Sequence, residues 1–587
     1  MAILNNNFFS LIGFKKRPKA PWAKYYGRKN TIFEVPNISI YEYIEKRHLK
    51  HADHIAIEYY GRKITYTELF LEIDKCTKAL KSYNIRKGDV ITILSANIPE
   101  ALYFIFAINR LGAVANIIHP LSAENEIKEA LNRYSTVMLV AMDICYDKIK
   151  NIIHETEVEK TIILSAKDSM NLLYKIGYQV TQGRKVNKPK KSNFYVYYKD
   201  FINNGKNVVI KEEVKVRRDT PALILHSGGT TGTPKGIVLS NGNVNTQSIQ
   251  AVTALPDLDS GDVILGIMPI FHGFGLSVSI IDALVVGAKV VLIPQFNAKE
   301  FDKLINKYKP SVLVGVPTLF EALTSNPGMQ EADLSYLKYV IAGGDTLSKQ
   351  RVEKINEFLR ERGADTKLLQ GYGMTEAVAA ISFDRKDCSK PGSVGIPWPG
   401  TYVKIVKPGT EEEVPCGEDG EICICGSTVM LGYYNNEKET NDILHIHSDG
   451  NVWIHSGDVG YMDKDGFLFY KQRIKRMIVT SGYNVYPSQI EEVIESHEAV
   501  LDCSVIGIPH PYKVEVPKAY VVLKKGYFET ESLKKEIMDL CKKNLSHYAI
   551  PKEFEYRKSL PKTMVGKVDF RKLQEENKKM RDNEKKE

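Results

Sequence analysis

Leu225-His226-Ser227-Gly228-Gly229-Thr230-Thr231-Gly232-Thr233-Pro234-Lys235-Gly236-Ile237 is the stretch on which the reading of this chain turns. An apolar run, Ala222 to Leu225, leads into a loop dense in glycine and hydroxyl groups and closed by Pro-Lys-Gly. Glycines such as Gly229 and Gly232 let a backbone approach a ligand closely and aim successive N–H groups at it. Ser227, Thr230 and Thr231 add hydroxyl donors and Lys235 adds a cation, a set suited to a polyphosphate. It is not the GxxxxGK[ST] loop of the common nucleotide hydrolases, because Lys235 follows a proline and precedes Gly236. Taken alone, the same residues also describe a flexible surface turn.

Outward from this loop, short apolar β-branched runs alternate with amphipathic stretches. Val90 to Leu94, Thr136 to Val140, Val263 to Met268, Val290 to Ile293 and Val312 to Val316 read as strands, and Ile98 to Leu111 as a helix. That alternation predicts an α/β fold with parallel sheets. After Pro391 the runs shorten and glycines multiply, with strands expected at Tyr402 to Val406, Glu421 to Cys425 and Phe467 to Tyr470. The expected organisation is a large N-terminal domain, 1–472, and a small α+β C-terminal domain, 473–587. The large domain divides into a first α/β subdomain (30–220), a second (221–395) and a small β-rich, barrel-like subdomain (396–472). Residues 166–217 are basic, tyrosine-rich and weakly periodic, and read as an insertion. The charged tail from Glu575 to Glu587 reads as a frayed end.

A chain of 587 residues is too long for one core. The net charge of +9 is too small a basic excess to argue for nucleic acid, and no nucleic-acid motif accompanies it. It fits a solvated surface, or affinity for polyanionic ligands or an anionic membrane face. The cysteines contain no CxxC pair, and Cys423-x-Cys425 places two small side chains on one strand face. Free thiols in a reducing cytosol are therefore expected rather than a zinc site. The apolar run from Phe8 to Phe14 precedes Lys15, Lys16 and Arg17, the reverse of a secretory leader. No run is long enough to span a bilayer.

Further motifs follow the loop in order: Ala342-Gly343-Gly344-Asp345, Gln370-Gly371-Tyr372-Gly373-Met374-Thr375-Glu376, Trp453-Ile454-His455-Ser456-Gly457-Asp458, Gln472-Arg473-Ile474-Lys475, Ser481-Gly482-Tyr483, and Pro561-Lys562-Thr563-Met564-Val565-Gly566-Lys567. From about residue 35 to about residue 575 the chain resembles the adenylate-forming superfamily of acyl-CoA synthetases, peptide-synthetase adenylation domains and beetle luciferases. The resemblance implies a nucleotide site. Tyr372, within the Gln370–Gly373 segment, would stack on adenine. Thr375 would donate to the α-phosphate and Glu376 would hold Mg²⁺. Gly343, Gly344 and Asp345 would border the adenine and acyl sites, although the family more often has Ala-Pro where this chain has Asp345-Thr346. Asp458 would bind the ribose hydroxyls, and Arg473 the ribose or phosphate. Lys475 would be the hinge of a mobile C-terminal domain, and Gly482 would flank the entering thiol. Lys567 would reach the substrate carboxylate and the α-phosphate. Without the resemblance, Glu376 reads as a first-turn carboxylate, Asp458 as an Asx-turn residue and Lys567 as a solvated lysine.

The implied reaction consumes ATP with Mg²⁺, forms an acyl-adenylate and passes the acyl group to coenzyme A. Met268-Pro269-Ile270-Phe271-His272-Gly273-Phe274-Gly275 matches the acyl-pocket motif. His272 stands where domains for α-amino acids usually carry Asp, and Gly273 and Gly275 are expected to leave room for a chain or ring. The insertion, with Leu172-Leu173-Tyr174-Lys175 and Gly183-Arg184-Lys185-Val186, resembles that of bacterial long-chain fatty acyl-CoA ligases. A cytoplasmic fatty acid–CoA ligase with peripheral contact to the inner membrane face is expected. Aryl acids, a stand-alone acyl-carrier protein as acceptor, an inactive ATP-binding scaffold and a membrane-binding protein are the alternatives.

Overall fold

The computed structural model describes residues 17–27, 33–49, 51–181, 183–227, 235–480, 483–510, 512–563 and 567–584. The first sheet grows from the apolar runs legible in the sequence. Val90–Leu94 and Val114–Ile118 are buried at every position, as parallel strands covered on both faces must be. In spatial order its strands are Gly432–Tyr433, Lys235–Ser240, Pro221–Ser227, Val114–Ile118, Val90–Leu94, Thr136–Met142, Lys160–Leu164 and Tyr195–Tyr197. From Pro221–Ser227 outward to Tyr195–Tyr197 neighbours pair in parallel. Lys235–Ser240 returns antiparallel beside Pro221–Ser227. The helix Pro99–Arg110 begins on a proline and buries every residue but its last. Packing inside the protein therefore accounts for the apolar stretch at Ala101 to Ala107. No helix among the described residues is long and apolar enough to cross a membrane.

The second sheet runs Ile396–Pro397, Ala380–Phe383, Leu368–Gly373, Tyr339–Ala342, Val312–Gly315, Val263–Gly266, Lys289–Leu292, Ile55–Tyr59 and Arg62–Thr65. The stretch from Lys289–Leu292 to Leu368–Gly373 is parallel. These two sheets move the expected subdomain boundary at 220/221. Ile57 pairs beside Val290, which takes the early strand into the second sheet, while the pair at 221–240 belongs to the first. An apolar run marks a strand, but its neighbour in a parallel sheet is chosen by tertiary packing across long connections.

Antiparallel strands Thr401–Val406, Gly420–Gly426, Leu444–Ile446, Val452–Met462 and Leu468–Arg473 form the β-rich third sheet. One turn, Ile474–Arg476, leads from it to the small C-terminal domain. There a sheet of Ile478–Thr480, Tyr483–Val485, Val500–His510, Val514–Leu523 and Glu553–Tyr556 is accompanied by helices Pro487–Glu495, Glu531–Asn544 and Phe570–Glu584.

Two further expectations change. The tail is helical in its described part: Leu573 is buried, and Asn577 Oδ1 accepts from the buried Lys518 Nζ at 3.1 Å. Its anchor at Asn577 is polar, so no hydrophobic period announces it. The insertion is also partly core. Tyr195–Tyr197 extends the first sheet, and the next helix, Tyr198–Asn204, buries Phe201 against Tyr83 and Phe104. Only the part around the helix Leu172–Val180, none of whose residues is buried, behaves as an insertion.

Candidate active site

Open α/β sheets bind ligands beyond the carboxyl ends of their parallel strands. Here Gly343 and Gly344 follow Tyr339–Ala342, and Gly371, Tyr372 and Gly373 end Leu368–Gly373. All of them line a cavity of about 800 Å³. Thr375 and Glu376 line it from the following turn, Lys235 from the first sheet, Ser456, Gly457, Arg473 and Lys475 from the third sheet and hinge, and Lys567 from the C-terminal domain. Gln370, Asp345 and Asp458 are not in the lining. Gly229, Thr230, Thr231, Gly232 and Gly482 lie outside the described residues, and Ser227 is described only as the end of its strand.

Tyr372 is fixed at both ends of its ring. Its hydroxyl donates to Asp458 Oδ2 at 2.7 Å, and its face stacks on Tyr470 at 5.6 Å. Strand register places Asp458 opposite Arg473, and Arg473 Nε lies 3.4 Å from Asp458 Oδ1. That buried Oδ1 makes no hydrogen bond among the described residues. Burial raises the Asp458 pKa, opposed by the Arg473 charge and the Tyr372 hydroxyl. The strand just before Asp458 is held by Glu421, whose Oε1 accepts from Gly457 N at 3.0 Å. Gly457 has φ +68, a left-handed conformation that glycine adopts without penalty. The ligand-type atoms of Glu421, Cys423 and His455 lie within 4.8 Å of one another. Glu421 Oε2, however, accepts from Gly409 N at 3.2 Å and faces His455 Nδ1 at 3.0 Å, so both oxygens are engaged.

On the wall supplied by the first sheet, Lys235 opens its strand and pairs with Glu439, with its Nζ 5.0 Å from the Tyr433 ring centre. Burial lowers its pKa, and the nearby Lys475 charge adds to the fall. Tyr433, on the edge strand beside Ile237, donates from its hydroxyl to Glu376 Oε1 at 2.9 Å. Motif reading missed Tyr433 and Glu439. The only sequence signal was an aromatic pair after glycine in Leu431-Gly432-Tyr433-Tyr434. His226 was missed as well. Its Nε2 donates to Asn116 Oδ1 at 2.7 Å, and burial pushes its pKa down to about 4.

Lys567 reaches the opposite wall. A methyl group built on Gly344, at φ +84, would lie 4.0 Å from Lys567 Nζ. Burial lowers the lysine pKa, while Asp345 opposes that fall and favours the ammonium form. His272 Nδ1 accepts from Phe274 N at 3.2 Å. Burial, with the Lys567 charge, pushes its pKa down to about 4, so the neutral ring carries its proton on Nε2. Gly273 and Gly275 serve packing rather than the pocket. A methyl at Gly273 would meet Val378 O at 2.2 Å, and one at Gly275 would meet Pro269 O at 2.1 Å. Val378 itself sits at φ +69, a strained position of the kind found beside functional groups.

Two sequence families match the chain. The AMP-binding enzyme model covers residues 44–434, and the AMP-binding enzyme C-terminal domain model covers 489–567. The chain belongs to the AMP-binding enzyme family. Within an AMP-binding enzyme so divided, Lys567 is the last residue of the C-terminal match, and the turn Ile474–Arg476 falls between the two. A long-chain-fatty-acid–CoA ligase of Bacillus subtilis is 32% identical over 95% of this chain and 98% of its own length. A probable 4-coumarate–CoA ligase of Dictyostelium discoideum is 33% identical over 84% of this chain and 87% of its own. The fold is shared with ATP-bound MatB from Rhodopseudomonas palustris, at a TM-score of 0.80 and 24% identity, over 93% of this chain and 99% of that one.

Proposed function

We propose that this AMP-binding enzyme is an acid–thiol ligase that activates a fatty acid with ATP as an acyl-adenylate and transfers the acyl group to coenzyme A. The supporting observation is Lys567, carried by the C-terminal domain into a cavity walled by the N-terminal domain, beside Gly344 and within the field of Asp345. A carboxylate meeting a triphosphate brings two anions together. Reactions at phosphorus of this kind depend on positioning and on stabilising spread negative charge. Lys567 supplies a cation at the acid end, and Lys235 supplies one at the polyphosphate end. His272, neutral, offers an Nε2 donor without adding charge.

Tyr372 offers a ring face to adenine with Tyr470 behind it. The unbonded Asp458 Oδ1 fits a ribose hydroxyl; Oδ2 is already taken by Tyr372. Glu376 and the Thr375 hydroxyl are hard oxygen donors that fit a magnesium ion, which when bound supplies positive charge to the phosphates. The turn at Lys475 fits a hinge that exchanges Lys567 for the Gly482 segment between half-reactions, since hinges are a few element-terminal residues. The fatty acid and coenzyme A assignments are supported by the names of the relatives.

The test is pyrophosphate release by the purified chain across a panel of acids, with and without coenzyme A. Fatty acids are expected to exceed aryl acids, with coenzyme A required for turnover. Release with no acid in the panel would sink the ligase reading.

The helix Leu172–Val180 favours peripheral contact with an anionic membrane surface. Leu172, Leu173, Ile176 and Val180 are exposed by half or more of their surface, and exposed cations Arg184, Lys185 and Lys190 follow. Apolar insertion together with charge attraction is how such elements hold to a bilayer. Replacing Leu173 and Ile176 by Glu is expected to abolish co-sedimentation with anionic vesicles; undiminished binding would contradict it.

A further inference from the structure

The cavity does not end as an ordinary hydrocarbon slot. One wall is a continuous helical segment, the π-helix Phe274–Ile281 followed by the α-helix Asp282–Val286. Phe274 stands at the reacting end, its ring facing Gly343. Asp282, eight residues further along, lies roughly 10 Å away at a little under the α-helical rise per residue. It lines the cavity among Val278, Ala283, Val286 and Leu255. Asp282 is 4% exposed. Its Oδ1 accepts from Ser248 Oγ at 2.7 Å, and its buried Oδ2 has no hydrogen-bond partner among the described residues.

We propose that Asp282 is the hydrogen-bonding terminus of the acyl cavity, and that the acids preferred by this enzyme carry a hydroxyl at the end remote from the reacting carboxylate. The inference rests on the ligase reading given above and specifies the substrate class of the same site. A buried polar oxygen without a partner is costly, and folded proteins retain one chiefly where something else supplies the bond. A methyl terminus would seal Oδ2 away from water and leave it unpaired. An ammonium terminus would bring three donors to a wall offering one open acceptor. A second carboxylate would meet a group of its own sign whenever Asp282 is ionised. A hydroxyl brings one donor, and its own oxygen accepts when Asp282 is protonated. Burial raises the Asp282 pKa to about 7, so both forms of the carboxyl are present near neutrality, and a hydroxyl matches either.

The experiment compares pairs of straight-chain acids, terminal methyl against terminal hydroxyl, over a ladder of chain lengths, by acid-dependent pyrophosphate release from the full chain. At the length that reaches Asp282, the wild type is expected to favour the hydroxyl acid by about tenfold or more in kcat/KM, the scale of a buried partner left unpaired. Asp282→Leu is expected to reverse that preference by raising kcat/KM for the methyl acid and lowering it for the hydroxyl acid. Ser248→Ala and the isosteric Asp282→Asn give the same ratio an independent reading if the leucine variant does not fold, and both are expected to reduce it. A hydroxyl-to-methyl ratio of one or less at every length, or a ratio unchanged in all three variants, overturns the proposal while ordinary acids still turn over. If no acid releases pyrophosphate from the wild type, the ligase reading itself fails and takes this inference with it.

Discussion

A single phenol joins two charged groups of the cavity: Tyr433 donates to Glu376 Oε1 and carries Lys235 over its ring. Tyr433→Phe keeps the ring and removes the hydrogen bond. It is expected to slow pyrophosphate release by about tenfold and to raise the magnesium concentration needed for half-maximal rate, as loss of a partner orienting a metal-binding carboxylate does. Unchanged rate and unchanged magnesium dependence would show that the bond does not position Glu376. Asp282 supplies a pH test. Its folded pKa is raised to about 7 from the ordinary carboxylate range near 4, so its contribution to stability is complete at low pH and is lost as pH rises through 7. Asp282→Asn cannot ionise. Its melting temperature is therefore expected to gain on that of the wild type between about pH 4 and pH 7 and then to hold level; a constant difference would contradict the buried, partly protonated carboxyl. That Tyr372, Glu376 and Lys567 come to one cavity was legible because each sits inside a dense motif. Tyr433 and Asp282 were not, because their partners lie far away in sequence and neither belongs to a motif with chemistry of its own.

The wall segment from Gly273 to Val286 shows how an element overrules a local reading. Glycines next to a pocket motif suggested space for substrate. The backbone instead passes so close to Val378 O and Pro269 O that a methyl would collide. Gly273→Ala is expected to destabilise the protein by about 1–3 kcal/mol, the usual cost of overpacking, read as a lower urea midpoint. Unchanged stability with narrowed acid selectivity would restore the pocket role. Strands such as Val90–Leu94 were read within a residue because continuous β-branched runs admit few alternatives. Their sheet partners were not readable, and Ile55–Tyr59 and Arg62–Thr65 joined a sheet whose other strands begin only at Val263. The exposed part of the expected insertion was legible by its charge, but the aromatic packing of Phe201 within the same stretch was not.

At the scale of the molecule, a large domain builds a cavity at the carboxyl ends of its second sheet, and a small domain closes it with one lysine. The two joined at Ile474–Arg476 make the site composite: neither domain alone holds both Asp458 and Lys567. The sequence conveyed this division through the α+β pattern that begins at about Arg473 and through the motif order, while the packing of Lys567 beside Gly344 required the fold. The most direct measurement is acid-dependent ATP–pyrophosphate exchange by Lys567→Ala, run beside thioester formation from supplied acyl-adenylate. The expected result is exchange lowered by at least about 100-fold, the scale of removing one charge-stabilising group, with thioester formation from the adenylate largely retained. Exchange at the wild-type rate would contradict the account.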